Sequence, residues 1–134
     1  MTNETEKLTI NLGVVELAQI DVLVEQGMYS NRSDFIRTAI RRDLEANSEK
    51  IERHLVPIAS KVEWSKTIGI AIIDTKVLEE YSERNEKLNI SVIGMLIFKS
   101  DISVSLFEET IGNVSIRGKL IASDEIKDIL NKKT

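Results

Sequence analysis

With 134 residues, 42% apolar and 30% charged, the chain has an ordinary globular composition and room for one domain, or for a very small one joined to a modest one. It holds no cysteine and a single histidine, His54, which excludes disulfides and thiolate metal sites and argues against zinc or nickel held by imidazoles. The net charge of −4 and a sequence pI of about 5.1 weigh against a general electrostatic attraction to nucleic acid.

Residues 1–6 are polar and acidic and lack the apolar run of a signal peptide. Apolar stretches such as Ile68–Ile73 fall far short of the roughly 20 residues that cross a bilayer. The expectation is a soluble protein of the cytoplasm, with no part in a membrane.

The first patterned stretch is Lys7-Leu8-Thr9-Ile10-Asn11-Leu12, which alternates polar and apolar without a break. In a strand, successive side chains point to opposite faces. Leu8, Ile10 and Leu12 then share a face that can be buried. Lys7, Thr9 and Asn11 share the other, presenting a cation, a hydroxyl and an amide, groups able to read base edges in a major groove. Taken alone, that face is equally an ordinary solvated one.

Gly13 ends the alternation and a helical period begins. Leu17, Ile20, Leu23 and Val24 fall at i, i+3, i+6 and i+7, with Val15, Ala18 and Val22 on a neighbouring face. A short helix apolar on two sides calls for a larger domain or an intertwined dimer, and Gly27 fits its C′ position. A second helix starts within Tyr29-Ser30-Asn31-Arg32-Ser33-Asp34. Asn31 and Asp34 have capping-box spacing, with Ser30 as the alternative cap. Phe35, Ile36, Ala39, Ile40 and Leu44 form its apolar stripe. The period continues through Ile51 and Leu55, interrupted at Asn47, until Pro57, so the expected helix runs from about 32 to 56 with its second half as a stalk carrying His54.

The unit from Lys7 to Leu44 is too small for a secure core of its own, since below about 40 residues metal, disulfides or oligomerisation are usually needed. With the first two excluded, a dimer remains. Pairing residues 7–12 with their twofold copy would give a two-stranded antiparallel ribbon and satisfy the edges of each strand.

This order of strand, helix and helix, carried by Lys7–Gly13, Ile20–Val24 and Tyr29–Arg41, resembles the ribbon-helix-helix unit of the Arc/MetJ/CopG repressor superfamily over roughly a third of the chain. The resemblance implies an obligate dimer whose ribbon enters the major groove of double-stranded DNA, with Lys7, Thr9 and Asn11 contacting bases. It also implies a phosphate clamp at the start of the second helix, from Asn31, Arg32 and Ser33. The local charge departs from many DNA-binding modules: residues 1–46 hold five Lys and Arg against eight Asp and Glu.

Lys61 to Lys66 form a polar join that includes Trp64, a candidate interface anchor. Beyond it lies a repeat. Asn89-Ile90-Ser91-Val92-Ile93-Gly94-Met95-Leu96-Ile97 matches Asn113-Val114-Ser115-Ile116-Arg117-Gly118-Lys119-Leu120-Ile121, and a weaker copy begins at Ile68-Gly69-Ile70. Each strand-like run precedes a helical one, at about 75–86, 104–111 and 124–131, the second with a possible capping box at Ser105 and Glu108. Three such units predict a small parallel sheet or solenoid-like stack. Gly94 and Gly118 fall mid-strand, where glycine marks a bulge or close backbone approach. A ligand site between the repeats, at the strand ends, is open.

The expected class is therefore α+β: a ribbon-helix-helix DNA-binding domain over 1–46 forming an intertwined dimer, a helical stalk and linker over 47–66, and a small α/β domain of three βα repeats over 67–134 for oligomerisation or sensing. No catalytic constellation can be built around one histidine, no glycine-rich phosphate loop opens a helix, and no cofactor or metal is expected. The functional expectation is a sequence-specific transcriptional regulator, a nucleoid-associated repressor acting as a homodimer, with assembly into tetramers and the effector left open. The rival readings are an antitoxin sharing the same DNA-binding unit and a structural DNA-organising or partition protein.

Overall fold

The computed structural model describes residues 5–55 and 61–133. The chain is a mixed α+β structure that divides into two compact units, residues 1–48 and 49–134.

In the first unit, residues 7–12 carry no strand assignment. The alternation that predicts a strand is intact, but a strand exists only through ladder hydrogen bonds to a neighbour, and a single chain offers this segment none. α1 spans Val14–Glu25 with Gly13 at its N-cap. Its end matches the expectation: Gly27 has φ 79°, its N–H bonds the Val24 carbonyl at 3.0 Å, and the Met28 N–H bonds that of Leu23 at 3.1 Å. This is a Schellman closure, in which glycine takes the left-handed conformation without a Cβ penalty.

α2 spans Arg32–Ala46 and is capped by Asn31, whose Oδ1 accepts from the Asp34 N–H at 2.8 Å. Asp34 reaches back to the N–H of Ser30 at 2.9 Å, one residue earlier than in a standard capping box. The continuous helix to residue 56 does not form. Asn47 turns its side-chain amide onto the Asp43 carbonyl at 2.8 Å and ends α2, the local competition that makes asparagine a poor interior helix residue. Only a short α3, Ser48–Glu52, follows, and His54 lies in the turn after it. Residue 56 and Pro57, where the stalk was expected to stop, lie outside the described residues.

The second unit is a parallel three-stranded sheet in the order β1 (Ser65–Ile73), β2 (Leu88–Phe98), β3 (Ile111–Ile121), interleaved with α4 (Thr75–Glu83), α5 (Val104–Thr110) and α6 (Asp124–Lys133). All three βα repeats are present. Leu78, Phe107 and Ile126, one from each helix, are fully buried in one cluster with Ile90, Val92, Leu96 and Phe98 of β2, so the helices share one face of the sheet. Phe98 and Phe107 meet edge to face at 5.1 Å.

Each helix here is started by a side chain: Asp74 caps Val77 at 3.0 Å, Ser103 caps Leu106 at 3.3 Å and Ser123 caps Ile126 at 3.3 Å. The α5 cap is therefore Ser103 and not Ser105, because the helix begins two residues earlier than the Ser105–Glu108 spacing suggests. α4 ends on Asn85, at φ 52°, with the Schellman bonds that Gly27 makes in the first unit. The repeated asparagine also has a defined use. Asn89 Oδ1 accepts from the Asn113 N–H at 2.8 Å and its Nδ2 donates to the Glu63 carbonyl at 3.3 Å. It thereby bridges the place where the β2–β3 register shifts.

Candidate nucleic-acid interface

The residues expected to touch DNA fall in two clusters. Lys7, Thr9 and Asn11 lie on the segment before α1 and are exposed. So are the apolar residues between them: Leu8 is 80% exposed, Ile10 56% and Leu12 39%. Val14 and Val15, which follow, are largely exposed as well. Both faces of the alternating segment are thus open in one chain. That costs nothing for lysine, threonine and asparagine, and forfeits part of the about 1.5–3 kcal/mol that full burial of each leucine or isoleucine contributes.

Asn31, Arg32 and Ser33 form the second cluster, at the start of α2. A helix supplies no carbonyls for its first N–H groups. Asn31 takes up that of Asp34, and Arg32 and Ser33 stand in the same first turn, where the helix dipole favours an anion. Tyr29 fixes the approach to this turn by packing edge to face on Phe35 at 5.0 Å.

One feature of this cluster was not legible in the sequence. Arg32 is held in a two-pronged ion pair by Asp21 of α1, Nε to Oδ1 at 2.8 Å and Nη2 to Oδ2 at 2.9 Å. These hydrogen bonds hold the Asp21 carboxyl below its usual range and raise the Arg32 guanidinium further. The pair spans 11 residues and two helices, so no i,i+4 rule reveals it. The Asp34 carboxylate, placed at the helix start by the capping-box spacing, occupies the first turn and answers the dipole from within. Arg37, Arg41 and Arg42, farther along α2, are exposed.

The second unit holds a polar cleft of about 350 Å³ lined by Trp64, Tyr81, Arg84, Lys87 and Asn89 among others, with the Arg84 guanidinium 4.8 Å over the Tyr81 ring. It opens at the beginnings of β1 and β2, away from the strand ends where a ligand was looked for. Among the described residues no group of three or more His, Asp or Glu side chains is placed to hold a metal ion, and no helix is long and apolar enough to cross a membrane.

A model of the ribbon-helix-helix transcriptional regulator family matches residues 3–127. The chain belongs to that family. Comparison with curated proteins and with solved structures found no match. Membership of the ribbon-helix-helix family makes the chain a DNA-binding regulator and brings dimerisation with it. The extent of the match adds something the N-terminal pattern did not: it runs through β3 and into α6, so the parallel-sheet unit is part of the family pattern and not an unrelated addition.

Proposed function

We propose that this protein is a sequence-specific transcriptional repressor acting as a homodimer. Two copies of residues 7–12 pair into an antiparallel ribbon that enters the major groove, with Lys7, Thr9 and Asn11 on base edges. The starts of the two α2 helices, through Asn31, Arg32 and Ser33, hold the flanking phosphates. Residues 1–46 are the DNA-binding domain, 47–66 the join, and 67–134 the part that assembles dimers or senses a signal. The site of action is the nucleoid in the cytoplasm.

One observation carries this reading. Leu8, Ile10 and Leu12 alternate with polar residues yet stand exposed in the single chain, an apolar face of the kind that marks an interaction surface. Twofold pairing covers it and leaves the polar face outward. Because the N-terminal segment is acidic on balance, Lys7, Thr9 and Asn11 must supply specificity by geometry more than by general attraction.

The test is a gel-shift titration against DNA selected from the source genome. Asn11→Ala should weaken specific binding by about 1–3 kcal/mol, roughly 5- to 150-fold, while affinity for random duplex and dimer stability stay unchanged. Equal loss on both duplexes would remove Asn11 from base reading and leave it a general contact.

A further inference from the structure

The parallel sheet is built by using one joint twice. β2 seats on β1 with Gly94 opposite Gly69, and β3 seats on β2 with Gly118 opposite Gly94. The three glycines share φ values of 131°, 136° and 130°, a region that side chains rarely enter. In each joint the later strand's glycine lies against the earlier strand's carbonyl. A Cβ on Gly94 would stand 2.1 Å from the Gly69 oxygen, and one on Gly118 would stand 1.9 Å from the Gly94 oxygen. The joint therefore has a direction, with a glycine hydrogen on one side and a carbonyl on the other.

β1 holds the glycine side of the same joint and, among the described residues, no strand lies on it: a Cβ on Gly69 would meet none of them within 4 Å. β3 holds the carbonyl side, and the strand order leaves these two as the sheet's edges. A second observation concerns the sheet face away from the helices, which is more open at β1 than at β2. Ile68, Ile70 and Ile72 are 51%, 46% and 49% exposed. Their register partners on the doubly flanked β2 are covered further, Met95 being buried and Ile93 and Ile97 half-buried. Edge strands left this way present open N–H and C=O groups to any strand of matching direction.

We propose that the outer edge of β1 receives the outer edge of β3 from a second copy of this chain, parallel and with Gly69 opposite Gly118. The occupant follows from the joint itself. Among the described strands, only β3 offers an open edge with a glycine carbonyl at this register, and the interface it would make already exists twice inside each chain. The register then sets Ile72 beside Ile121, as each already lies beside Ile97. Such a contact is heterologous: it leaves one β1 edge and one β3 edge free, so it propagates unless a rotation closes it into a ring. It is independent of how the N-terminal unit pairs, and where that unit pairs two chains on DNA it links neighbouring dimers into an array.

The chain has no cysteine, so Ile72→Cys and Ile121→Cys can be introduced separately into the full-length protein and oxidised alone or mixed. The mixture should give a disulfide joining one chain of each kind, in about tenfold excess over links from either variant alone, as a contact of unlike patches requires. The weight-average mass of the unaltered protein in sedimentation should climb past two chains with concentration. Ile70→Lys, a charge on an already half-open edge position, should abolish the climb with an unchanged thermal melt. Links formed equally by Ile72→Cys alone would overturn the proposal, and so would an unaltered chain whose mass stays constant at two chains. The sedimentation arm needs no substitution, so a variant that fails to fold leaves the proposal open to refutation.

Discussion

Among the described hydrophobic residues of the N-terminal unit, only Ile20 is buried, while Leu8, Val14, Val15, Val22, Met28, Ile40 and Leu44 stand in solvent. In the C-terminal unit Leu78, Leu96 and Phe107 have no exposed surface at all. The contrast is one of where the apolar partners come from. The βα repeats carry strands and covering helices in the same chain, so each repeat buries the face of the next. The alternating segment and two helices of residues 7–46 hold apolar faces but, among themselves, no second layer to set against them. Within its own residues the first unit finds little cover for these faces, and the dimerisation that the family brings would supply it.

The comparison can be broken most sharply at Ile10. If a twofold ribbon buries it, Ile10→Ala should cost about 2–5 kcal/mol per copy, seen as a shift of the dimer dissociation midpoint in sedimentation and a loss of helical signal on dilution. If residues 7–12 stay unpaired, the change is that of a surface position, within about 0.5 kcal/mol. Phe107→Ala tests the other side. It removes a fully buried ring and its contact with Phe98, and should lower stability by about 3–5 kcal/mol in urea unfolding, with the N-terminal dimer still formed.

Gly118→Ala comes next. The added Cβ would meet the backbone oxygen of Gly94, which cannot step aside as a side chain could, at a φ that alone costs about 1–3 kcal/mol. Loss of the β3 amide protection in hydrogen exchange should accompany the fall in stability.

Asp21→Asn should have the smallest effect on folding and a visible one on binding. Releasing Arg32 from its ion pair frees a cation at the start of α2, so affinity for DNA should rise and the slope of log affinity against log salt should steepen by about one. The pH dependence has a defined sign. The Arg32 hydrogen bonds depress the Asp21 carboxyl, so the pair's contribution is present above about pH 4, the unfolded value, and is lost as pH falls through the lower folded one. The variant should lack that acid limb. The group is exposed, and the effect on stability is correspondingly small.

Much of the fold could be read from residue order, and the reasons are local. Gly27 ends α1 and Asn31 caps α2 because those chemistries act within four residues. The repeat from Asn89 to Asn113 announced parallel strands in register. The long helix does not form because the Asn47 side chain competes for the backbone, a contact that an apolar period does not show. Ser103 and Ser105 offer the same hydroxyl two residues apart, and only the helix start chooses between them as a cap.

The sequence by itself determined the alternation of residues 7–12, the helix ends and the three βα repeats, since each is written in neighbouring side chains and in periods of 2 and 3.6. Tertiary structure alone decided that Asp21 holds Arg32, that Asn89 bridges β2 to β3, and that Gly69, Gly94 and Gly118 stand in one row. Those facts join residues distant along the chain, and no local period carries the distance between two backbones once they have packed.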